Sequence, residues 1–390
     1  MVAYPLNGRP TAFFRGDWYV GKGVACAKIR FGPGQDVAEV FCTHLHAPYE
    51  REPNDSYLCH RTAQAWEISK LMRGAAERGH LVVGLGDFNM LPSSFAHDLI
   101  VAHSPVKDAW QYLYPDSSLG AAVSAVEKKR GRPTPTASFN VAENGTTCDS
   151  AFNSWRWPKD QQKRLHKGEN ITIPDHTPDP YAKRLDYIFL GDGSCPPSFP
   201  KPRWAISHAR MSMIERHPTL GCSLSDHFAV EALITRIQDN SDSAVPTTNN
   251  NNNDNDNTPQ IIPQDATLSK MLTPDTYDLI LDMIDKYILR ERSQRLWRIA
   301  HFFLSVFISI GCFVGVWWSP LPDGHLGYVA FILTFVSTLS FGAGILDGLI
   351  GFLFVSSEIR ALKEFDWEVK NAKRIAQDLA AVGMREEKIA

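Results

Sequence analysis

A chain of 390 residues that is 44% hydrophobic can bury one full-sized core and leave about a hundred residues for something else. Its formal net charge of −3 argues against a global field for holding nucleic acid. The seven cysteines (Cys26, Cys42, Cys59, Cys148, Cys195, Cys222, Cys312) are odd in number, scattered and without C-x-x-C spacing, which argues against a disulfide framework or a thiolate zinc site and fits a reducing, cytosol-facing setting.

Met1-Val2-Ala3-Tyr4-Pro5 has neither a basic region nor an apolar stretch of secretory length, so the expectation is that this part is not exported. Gly16 to Gly23 (GDWYVGKG) matches the first seven positions of a P-loop, but Gly23 stands where Ser or Thr would hold Mg²⁺, and Thr11 to Arg15 is a poor buried strand. A glycine-flanked turn is the expectation there, with Asp17 and Lys22 able to pair. Ala38 to Leu45 reads as a strand ending in His44 and His46, whose i, i+2 spacing predicts one shared face. Thr62 to Arg78 places Ala65, Ile68, Leu71, Met72 and Ala75 at helical spacing.

Leu81 to Leu85 is a buried strand that runs into Gly86-Asp87-Phe88-Asn89, at the carboxyl end where α/β folds gather catalytic groups. Residues 111 to 180 are rich in polar residues and proline with little periodicity and read as long loops around a site. Leu185 to Leu190 carries Asp186 in Lys183-Arg184-Leu185-Asp186-Tyr187-Ile188-Phe189-Leu190, and Ser225-Asp226-His227 opens the strand Phe228 to Ile234. Strands of this kind between turn-rich stretches predict a layered α/β or α+β domain over residues 1–237.

The Asn- and Asp-rich segment 238–268 reads as a disordered linker. Residues 269–298 form a basic amphipathic helix started by Thr273-Pro274, with Arg290, Arg292, Arg295 and Arg298 at its far end. Within 299–356, Ile299 to Trp318 and Leu326 to about Val355 are each long and apolar enough to cross a bilayer, the second broken once by Asp347. Lys and Arg flank both spans and are missing from the turn between them, which predicts a hairpin with both ends, including the tail 357–390, in the cytosol. Gly344 and Gly348 give one GxxxG spacing, a weak pairing signal.

Phosphodiester hydrolysis needs an activated water, a sink for phosphoryl charge and a protonated leaving group. His227 suits the base, since its ordinary pKa lies near neutrality. Asp186 on a neighbouring strand would fix its tautomer. His44 and His46 fit phosphate binding, proton donation or support better than zinc, because no third ligand follows at a clear spacing.

Taken together, Thr43-His44-Leu45-His46, Gly86-Asp87-Phe88-Asn89, the KRLDYIFL run and Ser225-Asp226-His227 resemble, in order and spacing, the endonuclease/exonuclease/phosphatase superfamily. The RGDWYVGKG string, Thr147 to Trp155 (TCDSAFNSW) and the carboxyl-terminal hairpin narrow the resemblance to neutral sphingomyelinases and fungal inositol phosphosphingolipid phospholipases C. The resemblance implies a DNase I-like four-layered α/β sandwich followed by the two-helix transmembrane hairpin, and a Mg²⁺-dependent phospholipase C. The enzyme would cleave inositol phosphosphingolipids or sphingomyelin to ceramide and a phosphorylated head group.

The same resemblance implies phosphate contacts from Asp87 and Asn89, a general base at His227 oriented by Asp186, and a metal-side carboxylate at Asp226. It further implies a strand histidine at His44 and a switch pair at Asp17 and Lys22. It implies a membrane sphingolipid as partner, anionic phospholipids as activators, no nucleic acid, and a multi-pass location in the endoplasmic reticulum or mitochondrial outer membrane. The family's principal Mg²⁺ ligand, a Glu on a strand before the GDWxVGKG string, has no counterpart in residues 1 to 40; Glu39 leads into His44 and does not match. The expectation is therefore a catalytic domain incomplete at its start, with weakened metal binding. Two alternatives stay open: another hydrolase of the superfamily (a nuclease or inositol polyphosphate phosphatase), or an inactive lipid-binding membrane protein.

Overall fold

The computed structural model describes residues 1–12, 14–32, 36–50, 54–193, 203–237, 260–261, 272–318 and 327–386. The chain divides into two compact units. The first comprises Met1–Tyr4, Lys22–Arg51 and Gln64–Leu272; the second comprises Pro5–Gly21, Glu52–Ala63 and Thr273–Ala390.

The first unit is built in chain order from β1 (Val2–Ala3), β2 (Gly23–Phe31), β3 (Asp36–His44), the body of α1 (Leu58–Glu77), β4 (Leu81–Asp87), α2 (Phe95–His103), β5 (Lys107–Asp108) and α3 (Ala109–Leu113). There follow α4 (Ala125–Arg130), α5 (Ala137–Ala142), α6 (Lys159–His166), β6 (Asp186–Gly191), β7 (Arg203–Ser212), β8 (Ala229–Ile237) and β9 (Gln260–Ile261). Six strands form a mixed sheet in the order β1-β2-β3-β4-β6-β5, and three form an antiparallel sheet in the order β8-β7-β9. The parallel β3-β4 pair needs a crossover, which α1 supplies. It packs so closely that a Cβ on Gly84 would sit 2.8 Å from Met72 Sδ.

The two sheets meet through a dry core in which Leu81, Val83 and Leu190 of the larger pack with Trp204 and Ile206 of the smaller. Each strand turns alternate residues inward: Ala232 and Ile234 of β8 face the core, while Glu231, Leu233 and Thr235 are exposed. The mixed α/β core read from the sequence is what the chain forms. The stretch 111–180 differs from its reading as loops, because α4, α5 and α6 lie within it. These helices have six to eight residues, too few to display an amphipathic period, and α4 and α5 start on hydroxyl caps, Ser124 Oγ accepting from Glu127 N–H and Thr136 Oγ1 from Phe139 N–H.

The P-loop-like string forms no nucleotide cradle. Gly16–Trp18 is a single 3₁₀ turn, and Gly23 opens β2, where a Cβ would lie 2.6 Å from the Val2 carbonyl of β1. That approach is why glycine stands at 23.

In the second unit α7 (Pro274–Trp317) runs unbroken through the point where a juxtamembrane helix was expected to give way to a span. It begins as the sequence indicates, with Thr273 capping Thr276 N–H and Pro274 at the first helical position. The second apolar helix, α8 (Gly327–Leu349), continues through a π turn (Ile350–Phe354) into α9 (Val355–Glu386). α7 and α8 are long and apolar enough to cross a membrane and keep most of their apolar side chains exposed. The turn 319–326 and all of 238–268 except Gln260–Ile261 lie outside the described residues; those two residues pair with Ile206 and Ala205 as β9.

Asp347, the charge that interrupts the second span, pairs with Arg298 and, at 2.7 Å, with His301 Nδ1. An ion partnered in this way costs far less in an apolar setting than a lone one. Gly344 and Gly348 face α7: a Cβ on Gly344 would overlap Ser305 Oγ, and one on Gly348 would lie 2.9 Å from Phe302. The GxxxG spacing is therefore a packing surface here. Pro5–Gly21 and Glu52–Ala63, read from the sequence as part of 1–237, belong to this unit, tied by Tyr287 Oη donating to Asp55 O at 3.0 Å and by His60 Nε2 at 3.0 Å from Glu358 Oε1.

Candidate active site

Strand register brings three of the expected residues into one row. His44 of β3 is the register partner of Asp87 on β4, and Asp87 is the partner of Asp186 on β6. The row is closed off by backbone bonds, Leu45 N–H to Asp87 O (3.0 Å) and Phe88 N–H to Leu185 O (2.9 Å). His227 reaches the row from the other sheet's side, just before β8, with Nδ1 2.8 Å from Asp186 Oδ2. One ligand atom from each of Asp87, Asp186 and His227 lies within 4.8 Å of the others.

The turn after β4 is shaped for this purpose. Gly86 has φ +132°, and a Cβ there would be 1.9 Å from the Thr43 carbonyl. Asn89 sits in the left-handed region at φ +46°, which its short polar side chain tolerates. Its backbone N–H donates to Asp87 Oδ1 (2.8 Å), and Nδ2 donates to Leu45 O (3.0 Å) and Asp87 Oδ2 (3.2 Å). His44 Nε2 stands 3.4 Å from the same Asp87 Oδ2.

Burial, and next the Asp186 charge, push Asp87 up to about 6, against the opposing pull of the Asn89 N–H, His227 and the buried Lys22. Burial is the largest single influence and disfavours the His227 imidazolium, but the hydrogen bonds to Asp186 and Cys148 and the Asp186 charge together outweigh it and push His227 up to about 11. A carboxyl held back from ionising by burial and a neighbouring charge, as Asp87 is, is a setting that a cation relieves, and oxygen donors of this kind fit a hard divalent ion completed by water or phosphate oxygens.

A stability consequence follows. A carboxyl whose folded pKa is raised from 3.8 to about 6 favours the fold below pH 4 and gives up that contribution as pH rises through 6. Asp87→Asn is therefore expected to stabilise the cation-free chain by roughly 1–3 kcal/mol at pH 7 and to change little at pH 4. Thermal melts at both pH values in chelator check this; a variant that melts lower than wild type at pH 7 would contradict it.

The remaining expected residues are dispersed. Asp226 is exposed on the loop before β8, its Oδ1 accepting from Ser225 Oγ at 3.2 Å, and it is not part of the Asp87–Asp186–His227 group. His46 lies beyond the end of β3 and is fully buried, so the shared face expected for His44 and His46 does not form; its backbone N–H donates to Gln64 Oε1 (2.8 Å), and its Nδ1 is 3.2 Å from Ala47 O. Asp17 falls in the 3₁₀ turn of the second unit, and its side chain lies outside the described residues. Glu39, set aside from the sequence, sits five residues before the site end of β3 in contact with Arg78 (2.8 Å) and His80 (2.7 Å).

Sequence reasoning missed the residues that hold the site in place. Asn153 Nδ2 donates to Ser225 O (3.0 Å), and Ser154 and Ser223 exchange two hydrogen bonds (3.0 and 2.7 Å), which ties down the loop leading to His227. Arg184, two residues before Asp186, is buried in an ion pair with Asp108 at 2.6 Å. The signal was present in the strings around 147–155 and 183–190, but nothing in their spacing says which partner each side chain meets.

No family model matches the chain. Its curated relatives are informative: it is 37% identical to the inositol phosphosphingolipids phospholipase C of Schizosaccharomyces pombe, over 97% of this chain and 75% of that protein. It is 30% identical to the Saccharomyces cerevisiae protein of the same name, over 97% and 68%. Among solved structures, sphingomyelinase C from Streptomyces griseocarneus aligns at 16% identity and a TM-score of 0.29, over 57% of this chain and 60% of that one, a likeness too low to carry an inference. Relatives at this identity and coverage make the chain a phosphodiester hydrolase. The chain is a member of the inositol phosphosphingolipid phospholipase C family.

Proposed function

We propose that this chain is a Mg²⁺-dependent, membrane-anchored phospholipase C that hydrolyses inositol phosphosphingolipid, or sphingomyelin, to ceramide and a phosphorylated head group. The observation that carries the reading is the Asp186–His227 hydrogen bond in one cluster with Asp87, in a chain with the relatives described above.

In the cation-free chain His227, pushed up to about 11, holds both ring protons at neutral pH. We assign it the base role in the cation-loaded chain, where added positive charge lowers its pKa, Nδ1–H stays with Asp186, and Nε2 takes the proton from the water that attacks phosphorus. The bond from phosphorus to the ceramide oxygen breaks, and that oxygen leaves as a hydroxyl after receiving a proton, a role His44 fits beside Asp87. Asn89 holds Asp87 and lines the phosphate position. Mg²⁺, when bound, would supply positive charge to the phosphoryl oxygens; Asp87, with its raised pKa, is the carboxylate of the described cluster that we assign to it, and Asp226, outside that cluster, is the further one that the family resemblance implies. Lys22, buried and near enough to Asp87 to lower its pKa, is read as a switch residue beside the site.

The two apolar helices are read as a hairpin with both chain ends in the cytosol, because Arg and Lys flank both spans. The exposed Arg292 and Arg295 suit anionic phospholipids at the membrane surface, at about 1 kcal/mol each. The test is ceramide release from labelled inositol phosphosphingolipid and from sphingomyelin by the full chain in vesicles, with Mg²⁺ and with chelator, beside a plasmid-nicking assay. Ceramide release that chelator abolishes is expected. Nicking without lipid cleavage would replace this reading with that of a nuclease, and neither activity would favour a lipid-binding protein.

A further inference from the structure

Asp186 opens β6 of the six-stranded sheet, whereas His227 lies two residues before β8 of the three-stranded sheet. Their 2.8 Å hydrogen bond therefore depends on what holds those two sheets in register at this end. Thr147, fully buried, meets both. Its Oγ1 accepts from the backbone N–H of Leu185 (3.0 Å) and of Asp186 (3.3 Å), and its own N–H donates to Lys183 O (3.1 Å). On its other side the Thr147 carbonyl accepts from Phe228 N–H at 2.8 Å. The next residue repeats the arrangement, Cys148 forming antiparallel bridges with both Lys183 and His227.

We infer that Thr147 is a positioning residue: its hydroxyl and carbonyl together set the separation of Asp186 and His227, and hence the aim of the imidazole. The hydroxyl is the specific element. On the Thr147 side, its backbone N–H reaches only Lys183, two residues short of Leu185, whereas Oγ1 captures the two N–H groups that lead into the carboxylate. The buried Arg184–Asp108 pair holds the same strand but makes no link to His227. A hydrogen bond weakens steeply with misalignment, and displacement of a catalytic group by about 1 Å costs on the order of 100-fold in rate.

The inference rests on the reading of His227 as the base, and its test separates the two. In the full chain in lipid nanodiscs, the His227 Nδ1 proton bonded to Asp186 should give a downfield proton resonance, assigned by its loss in His227→Gln. Thr147→Val keeps the shape and removes the acceptor. It is expected to abolish or shift that resonance and lower kcat by about 10–100-fold, with KM within about threefold, while Thr147→Ser restores both. An unshifted resonance with wild-type kcat in Thr147→Val overturns the inference. If Thr147→Val does not fold, amide exchange in the wild-type chain decides: Asp186 and Phe228 N–H should open together, and independent opening overturns it. Unimpaired turnover in His227→Gln would instead sink the functional reading and leave the resonance to judge Thr147.

Discussion

His227→Gln is expected to lower ceramide-releasing kcat by about 10²–10⁴-fold, the usual contribution of a positioned general base, with little change in KM. Nδ1 of the imidazole is engaged by Asp186 at 2.8 Å, so Nε2 is the atom assigned to the water. Glutamine can keep a hydrogen bond but cannot take up a proton. Asp186→Asn should act on the same step, since an amide no longer stabilises the imidazolium that forms. Because the two residues work as a unit, the double variant should be scarcely worse than the more damaged single one. Steady-state kinetics on the three variants check this; fully additive losses would mean that the pair does not act together.

Gly86→Ala is expected to destabilise the catalytic unit by roughly 3–5 kcal/mol, the range that marks a named structural fault. The faults here are two: a backbone at φ +132°, which L side chains rarely adopt, and a Cβ that would lie 1.9 Å from the Thr43 carbonyl. The Thr43 carbonyl lies in the β3 backbone next to His44, so relief of the clash would push β3 and β4 apart where His44 and Asp87 face each other. Chemical denaturation should reveal the loss, and activity should fall further than stability alone predicts. Gly84→Ala makes a useful comparison, since its obstruction is the flexible Met72 side chain, which can yield. Equal stability of Gly86→Ala and wild type would show that the turn tolerates another conformation.

The elements that position the site were legible because their signals are local. Leu81 to Leu85 reads as a strand from its unbroken apolar run, and the residues that follow it occupy the strand's carboxyl end whatever the tertiary details. The expected pairing of Asp186 with His227 agrees with the geometry. The short helices of 111–180 were not legible, since the six residues of α4 and α5 do not complete two turns and the eight of α6 barely do. Nor was the fate of His46, whose spacing from His44 suggests a shared face only while the strand continues, and β3 stops at His44. The role inferred for Thr147 depends on the segments 183–186 and 227–228 meeting around it, which no single stretch of sequence encodes. In the second unit, Asp347 looked like an interruption of an apolar span; its partners Arg298 and His301 lie 46 and more residues earlier and become visible only once the helices pack.

Attack of water on phosphorus with departure of the ceramide oxygen is the chemical event that defines the proposed activity. Hydrolysis of inositol phosphosphingolipid by the full chain in ¹⁸O-labelled water, followed by mass spectrometry of both products, tests it most directly. One labelled oxygen in the phosphorylated head group and none in ceramide is the predicted result, lost in His227→Gln. Label in the lipid product, or release of a head group without its phosphate, would contradict it.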